Sequence, residues 1–217
     1  VISVSTGGFL MVGGRRKVGQ NNNLLLVRTD QNGDTLWTKV YDFSNWMKTP
    51  NVIETSNGDF ALTGDWGNYT FLMLLDQNGA YKWANYYDSP GTTISSYYNP
   101  QHNLCETYDG GYAIASFGVN VVVGDWVDGF VIKTDSLGNV EWTRLTGGPD
   151  SDLYRHIIQT QDSNLVVVGY TDSFGAGVQN LWISKFSMNG TILWSKVYQG
   201  FGDHHVYKVK ELPDSTM

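Results

Sequence analysis

The sequence predicts an all-β chain built from four repeats of about 52 residues, each supplying four short antiparallel strands. Three observations carry that reading. First, TGGFLMVGG at Thr6, NGDFALTGD at Asn57, DGGYAIASF at Asp109 and DSNLVVVGY at Asp162 align on Phe9, Phe60, Tyr112 and Leu165, separated by 51, 52 and 53 residues. Second, Glu54-Thr55, Glu106-Thr107, Gln159-Thr160 and Glu211-Leu212 recur at 52, 53 and 52 residues and so keep the same period. Third, a turn followed by tryptophan ends at Trp37, Trp83, Trp142 and Trp194, in DQNGDTLW, DQNGAYKW, DSLGNVEW and SMNGTILW. These tryptophans lie 46, 59 and 52 residues apart, so loops inside a unit vary while its overall length is conserved.

The markers place the units at about 5–55, 56–107, 108–160 and 161–212, with 213–217 opening a further one, all in a single partial domain over 1–217. The third unit shows its strands most clearly: GYAIAS from Gly111, GFVIKT from Gly129, VEWTRL from Val140 and LYRHIIQT from Leu153. Each is short and bounded by turn residues. The D-x-x-G between the second and third strands suits a tight hairpin, Asp bonding nearby backbone and Gly accepting positive φ. The T-x-G-G or T-x-D-G joining one unit to the next is equally tight. With 25 glycines, 14% aromatic and only 16% charged residues, the composition favours short strands and turns over long amphipathic helices.

Four antiparallel strands per unit of this length are the pattern of a β-propeller blade. A blade cannot bury both faces alone, so neighbours stack through alternating positions such as Phe130 and Ile132, or Trp182 and Lys185. The repeated Trp37, Trp83, Trp142 and Trp194 are expected to be structural, each wedged into the next blade and burying on the order of 200 Å². Four blades close as a small ring or form an arc of a seven- or eight-bladed one. An open arc exposes apolar faces at both ends, which favours the remainder of a longer chain, or a partner, covering the end blades.

The net charge of -7 and pI near 4.9 argue against a nucleic-acid partner, whose phosphates need clustered Lys and Arg. The run Arg15, Arg16, Lys17 reads as a solvated loop. A single cysteine, Cys105, excludes an intrachain disulfide and a multi-cysteine zinc site, and beside Leu104 it is expected to be an inert buried thiol. No stretch approaches the ~20 apolar residues of a membrane-spanning helix. The start without Met and the close at PDSTM suggest a piece of a longer polypeptide, leaving open whether a signal sequence lies outside it.

No catalytic constellation stands out. The D-x-N-G strings at Asp30, Asp76 and, less completely, Asp135 resemble the opening of a calcium loop, but the twelfth positions from the first two are Tyr41 and Tyr87 rather than Glu. Hairpin turns explain them better. Asp203, His204 and His205, with Asp150 or Asp152 in the equivalent loop, read as exposed polar loop rather than metal ligands. Asp65, Asp125, Asp128 and Asp172 occupy corresponding loops, and glycoside hydrolysis would need two of them converging to roughly 5–9 Å. His102 and His156 stand apart from any nucleophile. No nucleophile elbow, P-loop or dinucleotide fingerprint is present, and neither cofactor nor metal is expected. The triplets Asn68-Tyr69-Thr70 and Asn189-Gly190-Thr191 fit N-glycosylation but are common by chance.

A binding face is expected on the rim that gathers loops of unequal length. Those loops carry Trp46, Trp66, Tyr69, Tyr97, Tyr98, Trp126, Phe174 and Phe201 among Asn, Asp and Gly. Aromatics so placed suit stacking on sugar rings or docking on a protein surface. The reading is a non-enzymatic binding or adhesion module for a protein or glycan, with a carbohydrate-active propeller enzyme and a structural spacer as alternatives.

The run GYTDSFGAGVQNLWISKFSMNGTILWSKVYQG, from Gly169 to Gly200, resembles the propeller-type repeats of large secreted or surface proteins of Bacteroidetes and some archaea, with their glycine pairs, S-F-G turns and W-x-K-x-Y. The resemblance extends over the whole chain, more strongly in the third and fourth units. It implies an exported, adhesin-like protein at the cell surface or outside the cell, associated with type IX secretion. The G-x-x-x-W ending is also similar to the tryptophan-docking repeat of quinoprotein dehydrogenases, but the Asp-to-Gly interval is one residue shorter here and no residues match a quinone or calcium site. The sialidase Asp-box places Asp two residues before Gly and five before Trp, unlike Asp30, Gly33 and Trp37.

Overall fold

The structure, a computed structural model, describes residues 1–16, 22–42, 47–67, 69–88, 103–120, 126–176, 179–199 and 206–213. Among them are sixteen strands and no helix. They form four separate four-stranded antiparallel sheets, each in simple meander order. The first holds β1 (Ile2–Ser3), β2 (Phe9–Arg16), β3 (Asn22–Thr29) and β4 (Thr35–Tyr41). The second holds β5 (Met47–Glu54), β6 (Phe60–Trp66), β7 (Tyr69–Leu75) and β8 (Tyr81–Tyr87). β9 (Asn103–Glu106), β10 (Tyr112–Asn120), β11 (Trp126–Thr134) and β12 (Val140–Thr146) make the third. The fourth comprises β13 (Asp152–Gln159), β14 (Leu165–Thr171), β15 (Asn180–Phe186) and β16 (Ile192–Tyr198).

These sheets are propeller blades, but they are out of phase with the sequence units by one strand. The segment that closes each unit, such as LYRHIIQT, pairs with the strand that follows it and becomes the innermost strand of the next blade. The tight turn between units causes this. Thr107 N bonds Gly111 O at 2.9 Å and Gly110 N bonds Thr107 O at 2.8 Å, and a connection that short makes its two strands neighbours.

The D-x-x-G turns build themselves. Asp30 Oδ1 accepts from the N–H groups of Asn32 (2.8 Å) and Asp34 (2.9 Å), and Asp76 and Asp135 repeat the arrangement. Ser187 Oγ replaces the carboxylate in the fourth blade, accepting from Thr191 N at 3.1 Å. Gly33, Gly79, Gly138 and Gly190 take φ between 74° and 89°, the left-handed region that the bulged hairpin requires at this position.

Period-2 alternation gives each blade two apolar faces. Phe60, Leu62, Phe71 and Met73 of the second blade pack with Leu10, Leu24 and Leu26 of the first. Its opposite face presents Ala61, Leu72 and Leu74 to Tyr112, Ile114, Phe130 and Ile132 of the third. Ala113, Ala115 and Val131 continue onto Tyr154, Leu165, Val167, Trp182 and Phe186 of the fourth. Contacts therefore run blade to blade along the chain.

Two devices fasten each junction on the rim of tight turns. The repeated tryptophan lies on the outermost strand and rests on the turn glycine of the next blade. A Cβ on Gly79 would stand 3.0 Å from the Trp37 ring, and one on Gly138 or Gly190 would meet Trp83 or Trp142 at 2.7 and 2.8 Å. Only glycine admits that approach. The Trp142 indole also donates from Nε1 to Met188 O at 2.7 Å. The second device is the Glu54, Glu106, Gln159 marker. Glu54 accepts from Ser5 N and Oγ at 2.7 and 2.6 Å, Glu106 from Ser56 N at 2.6 Å, and Gln159 from Tyr108 N at 2.6 Å. The innermost strand of each blade thus holds a turn of the blade before it. Trp194 departs from the expected burial: it is 37% exposed, because no blade follows it among the described residues.

Candidate functional site

The rim opposite the tight turns brings together Trp66, Tyr69 and Tyr86 on the second blade. Trp66, the last residue of β6, pairs with Tyr69, the first of β7. Directly paired residues share a face of the sheet, and Tyr86, opposite Phe71, lies on that face as well. The Trp66 ring centroid is 4.5 Å from that of Tyr86 and 6.1 Å from that of Tyr69. Trp66 packs on the core between the first two blades. Tyr69 and Tyr86 stay 40% and 43% exposed, so the cluster is anchored below and open above. Trp66 Nε1 is enclosed with no acceptor among the described residues. Burial, then the nearby Tyr81, raises the Tyr86 phenol above its ordinary value, which keeps it neutral and able to donate at physiological pH.

Phe174 occupies the same rim on the fourth blade, 41% exposed, with its ring 6.3 Å from Trp182. Trp182 stacks in turn on Tyr154 at 4.5 Å. Tyr154 donates to Ser184 Oγ (3.1 Å) and lies 2.9 Å from Thr146 Oγ1, so this ring system is core with one exposed end. Of the other aromatics expected here, Trp46, Tyr97, Tyr98 and Phe201 lie outside the described residues, as does the side chain of Trp126, the first residue of β11. Tyr86 is the member that sequence reasoning missed. Its signal is the Tyr86-Tyr87 pair: Tyr87 falls four residues after Trp83, as Tyr41 does after Trp37, which leaves Tyr86 on the other face of the strand.

The acidic positions divide. Asp65 and Asp128 are buried within β6 and β11 rather than displayed on loops, and Asp172 follows β14, its N–H bonded to Ser151 O at 2.9 Å. Asp150 is exposed, whereas Asp152, expected in a polar loop, is fully buried at the start of β13. It accepts from Gly148 N at 2.7 Å and Ser173 Oγ at 2.6 Å. A Cβ on Gly147 would collide with both Asp128 Oδ1 and Asp152 Oδ2, so two buried carboxylates approach one glycine between the third and fourth blades. Asp125, His102, Asp203, His204 and His205 lie outside the described residues. No group of three His, Cys, Asp or Glu capable of holding a metal occurs among those described. Burial, its largest influence, pushes the Cys105 thiol up to about 12, so little thiolate exists at neutral pH.

A cleft of about 240 Å³ opens on the tight-turn rim, away from the expected face, between the first two blades. Trp37, Phe60, Glu54 and the buried Arg28 line it. Arg28 stands opposite Trp37, where Lys133 and Lys185 stand opposite Trp142 and Trp194. Lys133 meets Asp109 at 2.9 Å and Glu141 at 2.8 Å, and Lys185 meets Asp162 at 2.6 Å. In the first blade Thr6 and Leu36 replace those acids, and Arg28 donates to Thr29 O, Gly7 O and Thr6 Oγ1. Thr6 and Leu36 both line the cleft, where the third blade places Asp109 and Glu141. Glu54 remains held by Ser5.

No protein-family model matches the chain, and no curated protein matches it. Among solved structures it is similar to a protein of unknown function from Bacteroides caccae, with TM-score 0.50 and 15% identity over 88% of this chain and 58% of the other. A putative exo-beta-1,3-galactanase from Bifidobacterium bifidum s17 matches with TM-score 0.45 and 13% identity, covering 82% of this chain and 63% of that one. A bifunctional GH43-CE protein of Bacteroides eggerthii matches with TM-score 0.38 and 15% identity, covering 94% and 28%. The chain spans less than two thirds of each of these proteins. At such identities the likeness concerns the fold. The chain is a propeller-type repeat module.

Proposed function

We propose that the chain is a non-catalytic binding module of an exported or cell-surface protein, taking the apolar face of a sugar ring on the loop rim of its second blade. The Trp66–Tyr69–Tyr86 cluster is the observation that carries this reading. A sugar ring offers a flat face of C–H groups edged by hydroxyls, and an anchored indole beside two half-exposed phenols supplies both a stacking surface and hydrogen-bond donors. The net charge of -7 favours a neutral or cationic glycan over an acidic one. Export, including the type IX route, rests on the sequence resemblance of residues 169–200 to surface repeats. Fractionation of the source cells tests it, and a purely cytosolic location would reject it. A glycan array probed with the protein and with Trp66→Ala and Tyr86→Ala variants tests binding. Saturable binding lost in both variants supports the proposal, and binding that survives both removes the cluster from it.

A second reading follows from Asp128 and Asp152, the two buried carboxylates beside Gly147. A pair of acids is the minimal equipment for glycoside hydrolysis. Release of reducing sugar that disappears in Asp152→Asn would favour an enzyme, whereas glycan binding without product favours the module.

A further inference from the structure

We infer that the outer face of the fourth blade is a socket for a fifth blade of the same repeat, with residues 206–213 of this chain as its innermost strand. The proposal is independent of the glycan reading and rests on an interface the molecule repeats three times.

In each formed junction the outermost strand presents two groups to the turn of the next blade, a ring against the turn glycine and a donor to that glycine's carbonyl. Trp37 and the Tyr41 hydroxyl engage Gly79 in this way, and Trp83 and the Tyr87 hydroxyl engage Gly138, with a bond of 2.8 Å to its carbonyl. Trp142 rests on Gly190, and Arg144 Nε supplies the 2.8 Å bond to its carbonyl. Trp194 and Tyr198 repeat the spacing of Trp37 and Tyr41, yet they are 37% and 55% exposed and meet no such turn among the described residues. The strand behind them agrees. Leu26, Leu72 and Val131 are fully buried against the following blade, whereas Ile183, at the same place relative to its tryptophan, is only half-buried.

The innermost strand position of such a blade is already occupied. Glu211 continues the series Glu54, Glu106, Gln159, and it accepts from Gln161 N at 2.8 Å as those residues accept from Ser5, Ser56 and Tyr108. Arg155 of β13 lies between Tyr170, at 5.4 Å, and Tyr207, at 5.3 Å, so 206–213 runs beside β13 as β13 runs beside β9. Residues 206–213 nevertheless form no strand, since no hairpin pairs with them among the described residues. The occupant is therefore specified: three strands pairing with 206–211, with a D-x-x-G or S-x-x-G turn whose glycine lies under Trp194 and whose carbonyl receives the Tyr198 hydroxyl.

The test begins with the 217-residue chain, comparing acrylamide quenching before and after Trp194→Phe and measuring oligomeric state by sedimentation. The proposal expects a monomer with a quenchable Trp194, and a Trp194→Ala melting temperature within about 1 °C of the parent. The chain is then extended after Glu211 with a copy of residues 55–106 or, separately, of 160–211. Extension should shield Trp194 and raise the melting temperature by about 5 °C, a gain that Trp194→Ala removes. If neither extension shields Trp194 or raises the melting temperature, the socket is disproved. An unextended chain that associates end to end and shields Trp194 would overturn the proposal in favour of a second copy. Exchange at the Gln161 amide gives a readout independent of both extensions: it should quicken in Glu211→Ala, which removes the acceptor, and an unchanged rate would overturn the assignment of 206–213.

Discussion

The junction between the third and fourth blades and the junction between the first and second are built on one plan with different chemistry. In the former, Lys133 is fully buried between two carboxylates, the Trp142 indole has a hydrogen-bond acceptor, and Tyr154, Trp182 and Phe186 fill the interior. In the latter, the cation is Arg28, its partners are carbonyls and a hydroxyl, and a cleft remains. Both junctions nevertheless place a ring on a turn glycine and a glutamate or glutamine on a turn amide. The comparison separates what the architecture demands, apolar faces and ring-on-glycine contact, from what it leaves free, the charge behind the ring.

The largest expected effect is at the better-bonded junction. Trp142→Ala removes a ring that fits closely over Gly190 and stacks near Phe186, and should cost about 3 kcal/mol in chemical denaturation. Trp37→Ala should cost less, since the cleft beside it already admits solvent; equal losses would show that the cleft has no energetic meaning. Next, the double change Asp109→Ala, Glu141→Ala strands the Lys133 ammonium in a buried site. Such a loss is worth several kcal/mol when both partners are buried, but the two carboxylates are about half exposed, so about 2 kcal/mol is expected.

Smaller still, Thr6→Asp restores to the first blade the acid that Asp109 and Asp162 supply elsewhere, and should stabilise the chain by about 1 kcal/mol. No change in the melting temperature would mean that three neutral acceptors already satisfy Arg28. The weakest effect is the dependence on acid. Hydrogen bonds, first among them that from Lys185, hold the Asp162 carboxyl well below its ordinary range. Burial opposes ionisation of Asp109, but bonds from Thr107, Lys133 and Gly111 outweigh it and the net direction is again down. A carboxyl lowered by folding contributes its full stability above its unfolded pKa of about 4 and loses it as pH falls through the folded value. Stability should therefore be flat through neutrality and decline below about pH 4, with a shallower decline in Asp162→Asn.

The blade was legible in the sequence because its determinants are local. Asp30, Gly33 and Trp37 lie within eight residues of one another, and turn chemistry and ring placement follow from that spacing. The strand phase was not legible, because hairpins within and between units are equally tight and pattern alone does not say where one sheet ends. Lys133 was hidden because its burial depends on Asp109 and Glu141, which approach it from the β9–β10 turn and from β12. The loop rim was legible only as a tendency. Trp66 and Tyr69 were found through their loop, but Tyr86 sits in a strand and joins them across the sheet.

The one-strand offset between repeat and sheet bears on how such a chain changes length. Because each unit begins in one blade and ends in the next, a duplication or deletion of one whole unit rejoins an innermost strand to a different meander, and every sheet still has four strands. The ring-on-glycine contact and the glutamate clasp at the new junction are supplied by the same repeated positions, so the splice is accepted wherever it falls. Length in this architecture is quantised in steps of about 52 residues, and recombination between units is a tolerated event rather than a disruptive one.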